Sequence, residues 1–271
     1  MKSRMLTAVM FLTLLLSAML PAAVTEAAVN TLSTTAQKQF DKTKAALSSS
    51  DSAKLQSLYQ SFIQQQNAIG DRDTKLKATS KTNDDEESEI RQKIKLIDKS
   101  KLEALDRKVA QLKQYYQPLF DKYAVAQAEL KAARKYGIKE LTAAVQFKVD
   151  LLEISVKGAK EEIRTAQSTL SSAKSSASDK MKRLRTQLDA IDAQEQQGST
   201  AKSAISQLNK QKSAEWSDLL YALRSYDGKT AIRSLTTLVS VVQQISAQQI
   251  KIEGYENKIA AINKSVSNQL V

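Results

Sequence analysis

The sequence predicts an all-α fold, an elongated antiparallel helical bundle or coiled-coil hairpin built from long helices, on the strength of three observations. Apolar residues recur at alternating steps of three and four over dozens of positions, the spacing that keeps one stripe of a helix turned toward a partner. Residues that punctuate loops are scarce: 271 residues hold six Gly and two Pro, where average usage is about 7% and about 5%. Aromatic residues make up only 5% of the chain, and Ala, Lys, Gln, Ser and Leu dominate, so strand formers are few and helix formers many.

Residues 1–27 read as a signal peptide. Lys2 and Arg4 form a basic start, residues 5–20 are uncharged and apolar, and Pro21 breaks the run before small residues that suit a peptidase, with the cut expected after Ala27. Residues 28–66 form the N-terminal helices, two short ones at 36–47 and 53–65 or one bent at Ser48-Ser49-Ser50-Asp51. Residues 67–83 are polar and read as a linker.

Residues 84–197 form the long coiled-coil hairpin. Asn83 is the expected cap, followed by Asp84, Asp85, Glu86 and Glu87, where a helix N-terminus favours negative charge. Ile90, Ile94 and Ile97 start the stripe, and the step of five from Ile97 to Leu102 marks a discontinuity. From there the series runs Leu102, Leu105, Val109, Leu112, Tyr116, Leu119, Tyr123, Ala126, Leu130, Ala133. It stays in phase across Pro118, which predicts a kink, the alternative being a new helix starting there. A second series runs Val149, Leu152, Val156, Ala159, Ile163, Ala166, Leu170, Ala173, Ala177, Met181, Leu184, Leu188, Ile191. Gly137 stands between the two and is the expected hairpin turn, the alternative being one continuous helix through it.

Residues 198–271 form a C-terminal helical hairpin. Gly198-Ser199-Thr200 reads as a stop and restart, and the turn of this second hairpin falls at Asp227-Gly228. Its helices carry Ile205, Leu208, Trp216, Leu219 and Leu223 on one side, and Ile232, Leu235, Leu238, Val242, Ile245, Ile252, Ile259 and Val266 on the other. Trp216 is the expected anchor between helices.

The formal net charge is +12, which favours polyanionic surroundings. Two basic groups are candidate anion-binding patches: Lys131, Arg134, Lys135 and Lys139, and Lys180, Lys182, Arg183 and Arg185. Both also fit as ordinary charges flanking a coiled-coil seam.

Catalysis finds little to work with. There is no His and no Cys, which removes the side chain best suited to proton transfer near neutrality, the thiolate nucleophile and most zinc, iron and copper ligands. No lipid-modified cysteine can anchor the chain. Acidic residues are interleaved with basic ones along helices rather than gathered in a cleft. Gly228-Lys229-Thr230 lacks the earlier glycine of a phosphate loop, since Leu223 stands in its place. Asp71-Arg72-Asp73 lacks the closing acid of a calcium loop, where Thr82 stands. No catalytic residue, cofactor or metal ligand is therefore expected.

The leading expectation is an exported, non-enzymatic structural or interaction protein of the cell envelope or extracellular space. Its basic surface would bind anionic wall polymers or a membrane surface, with a protein partner or a second copy engaged through helical seams and no nucleic acid. Two alternatives follow from the same features. One is a secreted membrane-active helical effector, similar in outline to secreted helical pore-forming toxins, whose nearest apolar element would be residues 235–245. The other is an envelope chaperone or regulator that clamps its partners with a helical hairpin.

Overall fold

Helix starts and stops are set by a few local bonds and by residues in the left-handed conformation. The computed structural model describes residues 30–270, among which there are six helices and no strand. The expected signal peptide lies outside the described residues.

Helix α1 (Thr34–Ala45) starts where the Ser33 side chain accepts from the Ala36 N–H at 3.2 Å. It buries Ala36, Phe40 and Thr43, spaced by four and three. The chain breaks after Ala46, and the Ser48 hydroxyl accepts from the Asp51 N–H at 3.2 Å to start α2 (Ser49–Lys95), so the serine-rich break is real.

Helix α2 then runs unbroken through residues 67–83, which corrects the expected linker. Polarity alone does not end a helix. This stretch holds no Pro, its Asp73 and Lys77 pair at 2.8 Å one turn apart, and Leu76 and Asn83 keep the seven-residue phase of Ile90. Asn83 is therefore a buried residue within a helix rather than a cap, and Asp71-Arg72-Asp73 lies on three diverging directions of that helix rather than in a loop.

The step of five after Ile97 is more than the expected discontinuity within one helix: α2 ends at Lys95, Asp98 takes the left-handed conformation with φ 54°, and α3 (Lys99–Tyr136) begins after it, so Ile90 and Ile94 belong to α2 and the hairpin starts at Lys99 rather than at residue 84. Helix α3 continues through Pro118, so no new helix starts there. Gly137, with φ 73°, ends it as a left-handed cap whose N–H bonds the Ala133 carbonyl at 3.2 Å. Ile138 is extended and α4 (Lys139–Leu188) turns back along α3, forming the expected hairpin.

Helix α4 is separated from α5 (Ala190–Arg224) by Asp189 alone. The expected stop at Gly198-Ser199-Thr200 is overturned: α5 passes through it, and the Thr200 hydroxyl bonds the Gln196 carbonyl of its own helix at 3.0 Å instead of capping a new one. Buried Ile191 and Ala201 on either side shield the backbone there, so the glycine has no reason to let the helix fray. After α5, Tyr226 takes φ 56°, the Asp227 N–H reaches the Ala222 carbonyl at 2.9 Å, and the Asp227 carboxylate caps α6 (Gly228–Ser267). The turn at Asp227-Gly228 is where the sequence put it.

The chain divides into two units. In the first, residues 30–72 with Ile205–Ser246, α1 and the early part of α2 pack on the later part of α5 and the early part of α6. Phe40, Leu55, Phe62, Leu219, Leu223, Leu235 and Leu238 are fully buried there. Trp216 stacks on Phe62 with ring centres 5.6 Å apart, the expected anchor. Gly228 is required by a close approach: a β-carbon there would stand 2.5 Å from the Leu47 side chain.

The second unit, Asp73–Ala204 with residues 247–270, holds the α3–α4 hairpin and a core that four long helices share. Ile90 and Ile94 of α2, Leu184 and Leu188 of α4, Ile191 of α5, and Ile259 and Val266 of α6 form it. Nearer the Gly137 turn, Ala126 and Leu130 pack on Val149 between α3 and α4 alone.

Candidate anion-binding surface

The first basic group is brought together by the hairpin. Lys131, Arg134 and Lys135 occupy the last turns of α3, and Lys139 opens α4, so the Gly137 turn places all four, each exposed, at one end of the pair. At about 100° per residue, Lys131 and Arg134 lie to one side of the α3 seam, and Lys139 lies to the matching side of the α4 seam. A bond across the pair fixes that side: Arg134 Nη2 donates to Gln146 Oε1 at 2.7 Å, and Gln146 Nε2 donates to Asp150 Oδ1 at 2.7 Å. Lys135 points away from both seams. None of the four takes part in an ion pair among the described residues, so their charge is uncompensated by close carboxylates.

The second group is not gathered. Lys180, Lys182, Arg183 and Arg185 follow one another on a single helix, and neighbours on a helix diverge. Arg183 and Arg185 fall on opposite sides of buried Leu184, Lys182 points outward and Lys180 is half-buried near the seam. They form a ring around α4, not a face.

Sequence reasoning missed a polar layer within the second unit. Asn83 of α2 donates from Nδ2 to the Glu256 carbonyl at 3.0 Å and to Glu256 Oε2 at 2.7 Å, while Asn263 Nδ2 donates to the Asn83 carbonyl at 2.9 Å. All three residues are buried. The available signal was phase: Glu256 and Asn263 alternate with Ile252, Ile259 and Val266 at steps of four and three, so they occupy core positions of α6. Around this layer, partial burial holds the Asp84 carboxyl above its ordinary value, with Glu256, Glu87 and Asp85 adding to the shift and Lys202 opposing it. Burial likewise raises Glu195, helped by Glu87, Asp84, Asp192 and Glu256.

In the first unit Lys212 occupies a core position of α5, in step with Leu208 and Trp216, and is only 5% exposed. Burial pushes its ammonium below the usual lysine range. No group of three or more His, Cys, Asp or Glu among the described residues is arranged to hold a metal ion. No helix among them is long and apolar enough to cross a membrane.

Searches against protein-family models, curated proteins and solved structures return no match.

Proposed function

We propose that this chain is an exported, non-enzymatic structural or interaction protein of the cell envelope or its exterior, held electrostatically to an anionic surface through the end of its α3–α4 hairpin. The observation that carries the reading is the convergence of Lys131, Arg134, Lys135 and Lys139 on one end of a helical pair, exposed and without ion-pair partners. Four positive charges within two helical turns of each other attract a polyanion over about one Debye length, roughly 8–10 Å at moderate salt. Such a site needs no pocket, only accessible charge on a stiff support, and the flanking helices supply that support. The overall charge of +12 works in the same direction.

Retention of the purified protein on isolated anionic cell-wall material, or on vesicles of anionic lipid, is the direct test. It is expected to fall steeply as salt rises, and Lys131→Glu with Arg134→Glu is expected to weaken it at least tenfold at low salt. An Arg183→Glu with Arg185→Glu variant serves as a charge-matched control and is expected to weaken it less, because those side chains diverge. Equal losses in the two variants would reduce the reading to bulk charge, and no retention at low ionic strength would remove it.

A further inference from the structure

The end of the α3–α4 hairpin carries more than charge. Ala133 is the last buried residue of α3, and every residue from Arg134 to Leu141 is exposed. This stretch holds three basic residues, Arg134, Lys135 and Lys139, and one acid, Glu140. It also holds three large apolar side chains: Tyr136 is 75% exposed, Ile138 49% and Leu141 46%. Tight turns ordinarily use Gly, Asn, Asp or Ser, and here only Gly137 answers that description. A surface that merely presents charge needs none of the three apolar residues.

Their placement sets the direction of approach. Residues 134–141 lie within about one helical turn of the apex, a depth of roughly 5 Å. At about 100° per residue, Arg134 and Lys139 fall on one flank of the pair, with Lys131 a turn behind, while Tyr136 and Leu141 fall on the other. Ile138, extended between the two helices, sits at the apex. No side-on approach brings both flanks against one surface. An end-on approach does, and it sets the apolar side chains and the cations at nearly one depth. Within this unit the apolar contacts nearest the turn are between α3 and α4 alone. The core that four helices share lies at Leu184, roughly 70 Å further along α4.

We propose that this end docks on a bilayer containing anionic lipid, with Tyr136, Ile138 and Leu141 entering the layer between headgroups and acyl chains while Lys131, Arg134, Lys135 and Lys139 meet headgroup phosphates. The inference rests on the reading of this end as an anion-binding surface and names which anionic surface it takes. A wall polymer satisfies the cations but gives the three apolar side chains nothing to bury against. A bilayer interface takes both: cations meet phosphates, aliphatic groups leave water, and a tyrosine keeps its hydroxyl among the headgroups. The long stems of Lys and Arg hold their charges at that level while the apex lies deeper. Insertion is shallow. Glu140 and the first N–H groups of α4, which no side chain caps at Ile138, keep the turn out of the hydrocarbon.

Because the chain has no cysteine, Ile138→Cys accepts a single environment-sensitive fluorophore on the purified protein. With vesicles of equal parts phosphatidylglycerol and phosphatidylcholine, its emission is expected to shift to the blue and to be quenched by brominated acyl chains. Soluble polyphosphate is expected to produce neither change, and the same label at Lys182→Cys, roughly 65 Å back along α4, to stay unshifted. Ile138 and Leu141 still have about half their surface to bury, so Ile138→Ser with Leu141→Ser is expected to weaken vesicle binding about tenfold. The same variant is expected to leave retention on isolated wall material within about twofold, with circular dichroism verifying its fold. A label that stays unshifted on vesicles the protein nonetheless binds overturns the insertion and leaves the electrostatic reading standing. Equal losses of vesicle binding and wall retention in the serine variant overturn it too, and a blue shift at Phe147→Cys with none at Ile138→Cys overturns the end-on approach. Absence of binding to vesicles and wall material alike at low salt removes both readings.

Discussion

Buried polar residues are the most informative single positions in this chain, because each interrupts an apolar series in phase. Asn83 supplies two donor contacts to Glu256, a residue only 7% exposed, one to its backbone carbonyl and one to its carboxylate. Removing them leaves an acceptor without compensation, the costly kind of deletion. Asn83→Ala is expected to destabilise the protein by about 1–3 kcal/mol, read as a lower urea midpoint at unchanged slope. A slip of α2 by one heptad against α6 would place Leu76 or Ile90 opposite that carboxylate, so the layer also rejects wrong registers.

Lys212 behaves in the opposite sense. Its folded-state pKa lies below the unfolded one, so the folded chain holds this proton less tightly. The penalty of burying the charge is full below the folded pKa and disappears as pH rises toward the unfolded lysine value near 10.4. Lys212→Met keeps the alkyl packing and removes the charge. It is expected to raise stability at neutral pH by about 1 kcal/mol, with the gain shrinking in unfolding curves taken at progressively alkaline pH.

Asp84 and Glu195 have raised pKa values, so their charged forms strain the fold above those values and the strain is relieved as pH falls through them. Asp227 is held low, chiefly by the Thr230 N–H, and its contribution is lost as pH falls through its depressed value. On acidification below the usual carboxylate range, Asp227→Asn is therefore expected to flatten the loss of stability, while Glu195→Gln removes the gain at higher pH.

Among the elements, glycines separate helix interiors from turns. Gly198 lies within α5 with open space where a β-carbon would stand, whereas Gly137 sits at φ 73°. Gly198→Ala is expected to stabilise by about 0.5–1 kcal/mol, and Gly137→Ala to destabilise by about 1–2 kcal/mol, in paired thermal melts. The contrast explains what the sequence could and could not reveal. Gly137 was legible because apolar seams run up to it from both sides and none crosses it. Gly198 misled because a glycine followed by Ser and Thr has the chemistry of a stop, yet Ile191 and Ala201 bury the helix on both sides of it.

Residues 67–83 misled through composition. Helix continuity depends on one shielded position every turn or two, and Leu76 and Asn83 suffice, although the surrounding residues are polar. The basic groups follow the same geometry. Lys131, Arg134 and Lys139 are separated by intervals that return to one side of the hairpin, while a run such as Lys182-Arg183 cannot.

For the molecule taken whole, the periodic stripes announced long helices, but not which stretches would share a core. Phe40 and Leu235, or Ile90 and Ile259, lie far apart in sequence, and nothing local in either segment names its partner. Both units are assembled from discontinuous stretches of chain, the first from residues 30–72 and Ile205–Ser246. This interleaving governs the order in which a growing polypeptide can mature. The α3–α4 hairpin needs only neighbouring residues and can close as soon as both of its arms have left the ribosome. Phe40, Leu55 and Phe62 must wait, greasy and unclaimed, until some hundred and fifty later residues have been made. A chain stopped after residue 204 is expected to be protease-sensitive before residue 72 and protected across the hairpin, as limited digestion with mass mapping would report. Until synthesis nears its end, the leading segment lacks the α5 and α6 residues it packs against in its own unit.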